Sequence, residues 1–191
     1  MKEASKSADL VSDENIVLAV QKWVETLVVG MNLCPFAKRE LVKNRVRFVT
    51  TAATTQEQLL QTLQTELELL NTDASIETTL LIHPQVLQDF YDFNDFLSFA
   101  DGLLLEMDLE GIYQIASFHP DYQFGGTHPD DAENYTNRSP YPVLHLIRED
   151  SLERVIADYP NVNDIPERNI ELMNSLGTDK LQALLKSCLH N

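Results

Sequence analysis

Residues that could carry out chemistry concentrate between positions 117 and 148 of this sequence. The stretch contains three of the five histidines, His119, His128 and His145, and it mixes them with amides, aromatic residues and prolines. Long loops in compact domains are usually functional or disordered, and the aromatic content here is too high for a disordered segment. We therefore predict that the functional site lies in this stretch.

A thiol and an imidazole, Cys34 and His119, are the candidate catalytic groups. Cys34 precedes Pro35, and proline is favoured as the first residue of a helix. We expect Cys34 at or near the N-cap of a short helix over residues 35–42, where the helix dipole would lower the pKa of its thiol toward neutrality. Cys34 would then be a nucleophile or a pocket wall, with His119 as the acid/base group or the partner of the thiolate. The alternative is that Cys34 is a small buried side chain between two helices.

The segment NYTNRSPYP, residues 134–142, is typical of a recognition loop. Arg138 offers a planar fork for a carboxylate or phosphate group, and Pro140 and Pro142 stiffen the segment around Tyr141. The alternative is a structural loop whose asparagine side chains satisfy its own backbone. The predicted ligand is a small anionic metabolite, and the predicted ligand-binding residues are Tyr122, Asn134, Asn137, Arg138, Tyr141 and His145.

Two other functions stay open. The histidines, together with Asp121, could form the site of a metal-dependent hydrolase, but no HxH or HExxH spacing supports it. We expect the purified protein to hold no stoichiometric zinc or iron, and the sequence indicates no particular cofactor. The chain could also be a non-catalytic module whose loop and acidic surface bind a protein partner.

The net charge of the chain makes some classes of binding partner unfavourable. The chain has 14 basic and 30 acidic side chains, a net charge of −16, which disfavours nucleic acid and anionic membrane surfaces. Its two cysteines form no CxxC pair, and its N-terminus has no apolar leader segment. We therefore expect a cytoplasmic protein with reduced thiols, and the sequence makes no prediction about its oligomeric state.

The sequence alternates between helix-like and strand-like patterns of apolar residues, and these patterns predict the elements that position the candidate residues. Apolar residues at three- and four-residue steps predict helices, and short β-rich runs ending at turn residues predict strands. The predicted helix over residues 54–70 is expected to begin with a capping box formed by Thr54 and Glu57. The predicted helices cover residues 13–29, 54–70 and 86–107, and the predicted strands cover residues 46–50, 77–83 and 112–118.

This order of elements predicts an α/β fold with a small, mostly parallel sheet of three or four strands, crossover helices and a helical C-terminus. Residues 143–147 could be the fourth strand or the start of a helix. His83 and His119 each stand at the C-terminal end of a strand, so we expect them to flank one crevice. We assign residues 1–12 to a flexible N-terminus and residues 13–191 to a single domain.

Several motifs together point to a known family. The sequences LCPFA, ETTLLIHP, LEGIYQIASFHPDYQF, NYTNRSPYPVLHLIRE and ERNIELM resemble the bacterial domain-of-unknown-function 1415 family. The resemblance extends from about residue 17 to residue 185. It implies a single compact domain, and it transfers no activity, cofactor or catalytic residue to this chain.

Overall fold

A four-stranded sheet with helices on both faces forms the centre of the protein in the computed structural model, which describes residues 12–189. The flexible segment predicted for residues 1–12 lies outside these residues except for Ser12. The strand order is β1-β2-β4-β3. The strands are β1 (Val46–Thr50), β2 (Thr78–Ile82), β3 (Tyr113–Phe118) and β4 (Val143–Arg148).

The sheet is mixed, so the prediction of a mostly parallel sheet is wrong. β1 and β2 pair in parallel, whereas β4 is antiparallel to both of its neighbours, β2 and β3. The first three strands therefore share one direction, as the crossovers predict, but β4 is inserted between two of them. Its near-continuous apolar run is typical of a strand that is buried on both faces, and this explains its place inside the sheet. Residues 143–147 are thus a strand and not the start of a helix.

The first predicted helix consists of two parts. The α-helix α1 (Asp13–Trp23) continues directly into a π-helix, Val24–Val29. Gly30 follows it in close contact with the preceding turn, where a Cβ atom would overlap the carbonyl oxygen of Thr26. Glycine is therefore the residue that fits at position 30, where the π-helix ends.

Two long helices lie on one face of the sheet, α3 (Gln56–Thr72) and α4 (Phe90–Glu106). The N-cap of α3 is Thr55, whose hydroxyl accepts the amide N–H of Gln58, so the predicted Thr54–Glu57 box is wrong by one residue. The Gln58 side chain accepts the amide N–H of Thr54, the residue before the N-cap, and not that of Thr55 as in a capping box. α4 begins later than predicted because Asp89 caps it, accepting the amide N–H groups of Tyr91 and Asp92.

The face of the sheet covered by α3 and α4 is densely packed, and we call it the solid face. Rows of leucine and phenylalanine side chains from α3 and α4 pack against the inward residues of β2, β3 and β4. Arg148, at the end of β4, donates hydrogen bonds to the carbonyl oxygens of Leu70 and Ile76 and to the hydroxyl of Tyr113, which joins the end of α3 to the sheet. The completely buried residues of this cluster include Leu59, Leu63, Leu67, Leu70, Leu81, Phe93 and Leu144.

The opposite face is covered unevenly. Trp23 and Leu27 pack with Cys188 against β2 and β4 over one part of it. The short helix α2 (Ala37–Val42) and the helix α5 (Glu149–Ala157) lie over the remainder, and neither contains a buried residue. The C-terminus is helical as predicted, with α6 (Ile165–Leu176) and α7 (Thr178–Cys188). None of the helices within residues 12–189 combines the length and the apolar character needed to cross a bilayer.

Candidate ligand-binding cavity

A cavity of about 570 Å³ lies between the less densely covered face of the sheet and the helices α2 and α5. All four strands contribute to its floor. Ala116 of β3 pairs directly with His145 of β4, and its small side chain leaves open space beside the imidazole. The rings of Phe36 and Tyr159, 5.4 Å apart, join the start of α2 to the segment after α5 and hold this cover together. The floor consists of Val46, Thr78, Leu80, Ala116, Phe118, His145 and Ile147.

The hydrogen bonds of His145, a polar residue of this floor, show which of its two ring nitrogens carries the proton. The hydroxyl of Thr78 donates to the carbonyl oxygen of Leu146 over 2.6 Å, and it also lies 2.7 Å from Nε2 of His145. Because the hydroxyl has one hydrogen, Nε2 must carry the proton of the second bond. Nδ1 is therefore an acceptor, and no residue within 12–189 donates to it. Burial lowers the pKa of His145 to about 4, so the imidazole is neutral at neutral pH.

Cys34 lies in the wall of the same cavity. The predicted helix start is wrong by two residues, because α2 begins at Ala37 and its N-cap is Phe36. Hydrogen bonds from the backbone of Phe36 and Ala37 favour the thiolate, but burial outweighs them and raises the pKa of the Cys34 thiol. The predicted acidic thiol is thus wrong in direction, and the cavity contains a neutral thiol and a neutral imidazole.

The lining of the cavity includes charged side chains, and arginines slightly outnumber carboxylates among them. Arg45 contacts Glu77 and, over 3.4 Å, Glu40. Arg39 lies 3.4 Å from Glu40, but its side chain is 61% exposed and makes no other ion pair within residues 12–189. Arg154 and Asp158 complete the ring of charges at the α5 side. Together with Arg148, four arginines and three carboxylates therefore line this cavity, in a chain whose net charge is −16.

The crevice expected between His83 and His119 is filled by the ring of Phe93. That ring lies 5.4 Å from the imidazole of His83 and 5.2 Å from that of His119. The two histidines stand at the same edge of the sheet, as predicted, but they are 0% and 1% exposed. Burial lowers the pKa of His83 to about 4 and also lowers that of His119.

Both ring nitrogens of His119 serve the fold. Nε2 donates to the carbonyl oxygen of Leu87 over 3.2 Å, and Nδ1 accepts the amide N–H of Asp121 over 3.0 Å. His83 donates through Nδ1 to the carbonyl oxygen of Val86, which leaves its buried Nε2 without a partner. His119 therefore positions the backbone at the start of the long loop, and its predicted catalytic role stays a prediction.

The asparagines of the loop bind the loop itself. The side-chain oxygen of Asn134, a residue with 0% exposure, accepts from the amide of Phe124 and the hydroxyl of Thr127, and its amide donates to the carbonyl of His128. Asn137 donates to the carbonyl oxygen of Ser117 over 3.2 Å. This arrangement matches the structural alternative for the segment 134–142, in which the side chains satisfy the backbone.

Arg138 also contacts the loop backbone. Its Nε donates to the carbonyl oxygen of Tyr122, and a terminal nitrogen donates to that of Pro129 over 2.7 Å. The guanidinium lies 4.6 Å above the ring of Tyr135. A smaller cavity of about 170 Å³ adjoins Arg138, with Asp121 and Lys186 among its lining. Anion binding by Arg138 stays a prediction.

The two predicted tyrosines lie apart from each other. Tyr122 packs its ring against Phe90 and Phe124, at centroid distances of 5.1 and 4.9 Å. Tyr141 packs into the apolar cluster around Trp23, and burial raises the pKa of its phenol. Of the predicted site residues, the structure thus brings Cys34 and His145 together in the large cavity, whereas the others belong to the loop.

A family model described as "Protein of unknown function (DUF1415)" matches residues 15–183. The chain belongs to the DUF1415 family. Its membership confirms the resemblance carried by the motifs from LCPFA to ERNIELM. Neither a curated protein nor a solved structure gives a match. The residues that line the large cavity all fall between Trp23 and Asp158, within the part of this DUF1415 chain that the family model covers.

The structure bears differently on the two alternative functions, a metal-dependent hydrolase and a protein-binding module. No three His, Cys, Asp or Glu side chains of residues 12–189 come together in a way that could hold a metal ion. Exposed aromatic residues, which a protein-binding module would need, occur on α4, where Tyr91 and Phe99 are 68% and 58% exposed. They do not belong to the long loop, where that alternative placed the interaction.

Sequence analysis missed Thr78, Ala116 and Arg39 as site residues. A signal existed for one side of the cavity, since the alternation along β4 puts His145 on the opposite face from Leu144 and Leu146. The pairing that brings Thr78 to Nε2 of His145 depends on the register of β2 against β4. No short-range pattern in the DUF1415 sequence specifies that register.

Proposed function

We propose that this DUF1415 protein binds a small, largely apolar metabolite with an anionic group in the cavity on the face of the sheet. The observation that carries the proposal is the cavity itself. Its volume of about 570 Å³ lies within the range of roughly 300–1,000 Å³ that is typical of small-molecule sites. Its lining combines apolar walls with a small number of polar groups, which is the usual composition of such sites.

The charges at the opening support an anionic group on the ligand. Over the whole chain, 30 acidic residues outnumber 14 basic ones, and this net negative charge repels an anion. In the lining of the cavity, by contrast, four arginines outnumber three carboxylates. Arg39 is the group best placed to pair with the ligand, because it is largely exposed and its nearest carboxylate, Glu40, is shared with Arg45.

The protonation states favour binding over covalent catalysis. A thiol attacks as the thiolate, and burial disfavours that form of Cys34. The imidazole of His145 is neutral as well, so no thiolate–imidazolium pair forms at neutral pH. We place this binding function in the cytoplasm, because both cysteines, Cys34 and Cys188, are free thiols.

Trp23 provides a direct test, since it lines the cavity and is the single tryptophan of the chain. We expect titration with octanoate to change its fluorescence saturably, and octylamine, of opposite charge and similar length, to bind more weakly. Ala116→Phe, which fills the cavity from the floor, should weaken octanoate binding about tenfold or more. Val155→Trp, which fills it from α5, should do the same if measured by calorimetry.

Arg39→Gln separates the charge from the cavity. Because Arg39 is exposed, its loss should weaken octanoate binding only by about two- to fivefold and leave binding of the uncharged 1-octanol unchanged. Octanoate binding that is unaffected by both cavity-filling substitutions would contradict the proposal.

A further inference from the structure

We propose that the ligand of this cavity carries a hydroxyl group at its buried end, which donates a hydrogen bond to Nδ1 of His145. The inference rests on the proposed function and specifies the chemical class of its ligand. It assigns the recognition of that hydroxyl to a pair of residues, His145 as the acceptor and Thr78 as the residue that fixes its tautomer.

The tautomer follows from the backbone of the sheet. The carbonyl oxygen of Leu146 can only accept, so it takes the hydrogen of the Thr78 hydroxyl. The hydroxyl oxygen then accepts from Nε2 of His145 over 2.7 Å. A neutral imidazole has one N–H, and it is used here. Nδ1 is left with a lone pair and no protein donor within the described residues.

The position of His145 makes this lone pair available to a ligand. Its side chain lines the cavity, beside the small side chain of Ala116, and retains accessible surface there. Neighbouring floor residues such as Leu80 and Phe118 are apolar and offer no hydrogen bond. A ligand in the cavity must therefore satisfy Nδ1 itself or leave it unpaired, and an unpaired buried acceptor is unfavourable.

The lone pair discriminates between ligands of equal size. A hydroxyl donates to Nδ1, whereas an ether or ketone oxygen in the same place brings two acceptors together. The difference should amount to about tenfold in affinity, the usual effect of one hydrogen bond of this kind. A protonated amine also donates, but its charge would have to leave water for the apolar floor, which is strongly unfavourable.

The test uses two isomers, 1-octanol and heptyl methyl ether, with Trp23 fluorescence as the signal. Wild-type protein should bind the alcohol about tenfold more tightly than the ether. His145→Phe, which keeps a ring but removes the acceptor, should bind the two isomers equally.

Thr78→Val is the second variant, chosen because valine has the shape of threonine and is favoured in strands. Without the threonine oxygen, the proton of His145 is free to move to Nδ1. The preference for 1-octanol over the ether should then shrink severalfold, while 2-octanone, which only accepts, should gain affinity. A merely structural role of Thr78 would weaken all three probes alike.

The possible failures can be told apart. Equal binding of alcohol and ether by the wild type, with octanoate still bound and still excluded by Ala116→Phe, would overturn the hydroxyl assignment and leave the proposed function intact. Failure of every probe, octanoate included, would remove both. NMR of the imidazole nitrogens in the ligand-free protein is an independent check, since a proton on Nδ1 of His145 would overturn the assignment by itself.

Discussion

The two faces of the sheet are covered by different kinds of helix. α3 and α4 have 17 residues each, and each buries a row of large apolar side chains against one face. On the other face, α2 and α5 have six and nine residues and bury none completely. A long amphipathic helix can place several turns of side chains into a core, whereas a short one forms a cover with space beneath it.

This difference separates the parts of the protein that provide stability from the part available to a ligand. The solid face provides the tightly packed side chains on which the free energy of folding depends. The residues of the cavity floor border an open space, so they forgo part of the dispersion energy of a filled core. Substitutions of equal chemistry on the two faces should therefore have unequal effects.

The largest expected difference concerns two adjacent leucines of β2. Leu81 faces the solid cluster and is 0% exposed, whereas Leu80 lines the cavity and is 4% exposed. Leu81→Ala should lower the free energy of unfolding by about 3–5 kcal/mol, because it opens a new void in a filled core. Leu80→Ala enlarges an existing space and should cost about 2 kcal/mol. Urea unfolding followed by circular dichroism measures both, and equal losses would contradict the distinction between the faces.

The next effect concerns pH and compares His83 with His145. The pKa of each is lowered from 6.5 to about 4 by burial, so the unfolded chain takes up protons first on acidification. The stability that each neutral imidazole contributes is complete above pH 6.5 and is lost as the pH falls toward 4. A fall of the pKa from 6.5 to about 4 corresponds to roughly 3 kcal/mol at most for one group.

Matched variants should show which face excludes water. His83→Asn keeps a donor for the carbonyl of Val86, and His145→Gln keeps a donor for Thr78. We expect the first to flatten the stability curve between pH 6.5 and 4 more than the second, because water in the cavity can solvate a charged His145. Urea unfolding at several pH values provides the measurement. A larger effect from His145→Gln would show that the cavity is the drier environment.

The smallest expected effect is on the reactivity of the thiols. The raised pKa of Cys34 should make it react with iodoacetamide more slowly than free cysteine at pH 7, and its labelling rate should still increase at pH values where that of free cysteine has levelled off. Cys188, which is 1% exposed, should react more slowly still. Octanoate should slow the labelling of Cys34 severalfold and leave Cys188 unchanged. Mass spectrometry of the two peptides measures both rates, and fast labelling of Cys34 at pH 7 would restore the acidic thiol of the sequence-based prediction.

Local patterns predicted most of the individual elements. The apolar steps from Leu59 to Leu70 identify α3, and the predicted helical C-terminus is confirmed by α6 and α7. The errors arise where a side chain decides between adjacent positions, as at Thr55 and Asp89, which cap their helices later than the patterns indicate. The order of the strands was not accessible, because the insertion of β4 depends on contacts between residues about 65 positions apart.

The candidate site was predicted only in part, for a related reason. Cys34 and His145 were identified, but they were assigned to a site at the ends of the strands. That site was predicted from the polar residues of the long loop. In the structure, however, two of these residues, Asn134 and Arg138, bind the loop backbone. The cavity exists because small side chains such as that of Ala116 leave space above the sheet. Its polar floor depends on the strand register that brings Thr78 to His145. Neither property leaves a motif in the sequence.

The insertion of β4 also bears on how the chain emerges from the ribosome. A nascent chain complete only to Phe118 contains β1, β2 and β3, yet β3 hydrogen-bonds to no strand other than β4 within the described residues. One edge of β2 and the whole of β3 then lack partners, and exposed strand edges recruit other chains. β4, one of the two interior strands, is thus the last strand to be synthesised. We therefore expect the unfinished chain to be most prone to aggregation before β4 is available to pair with β2 and β3.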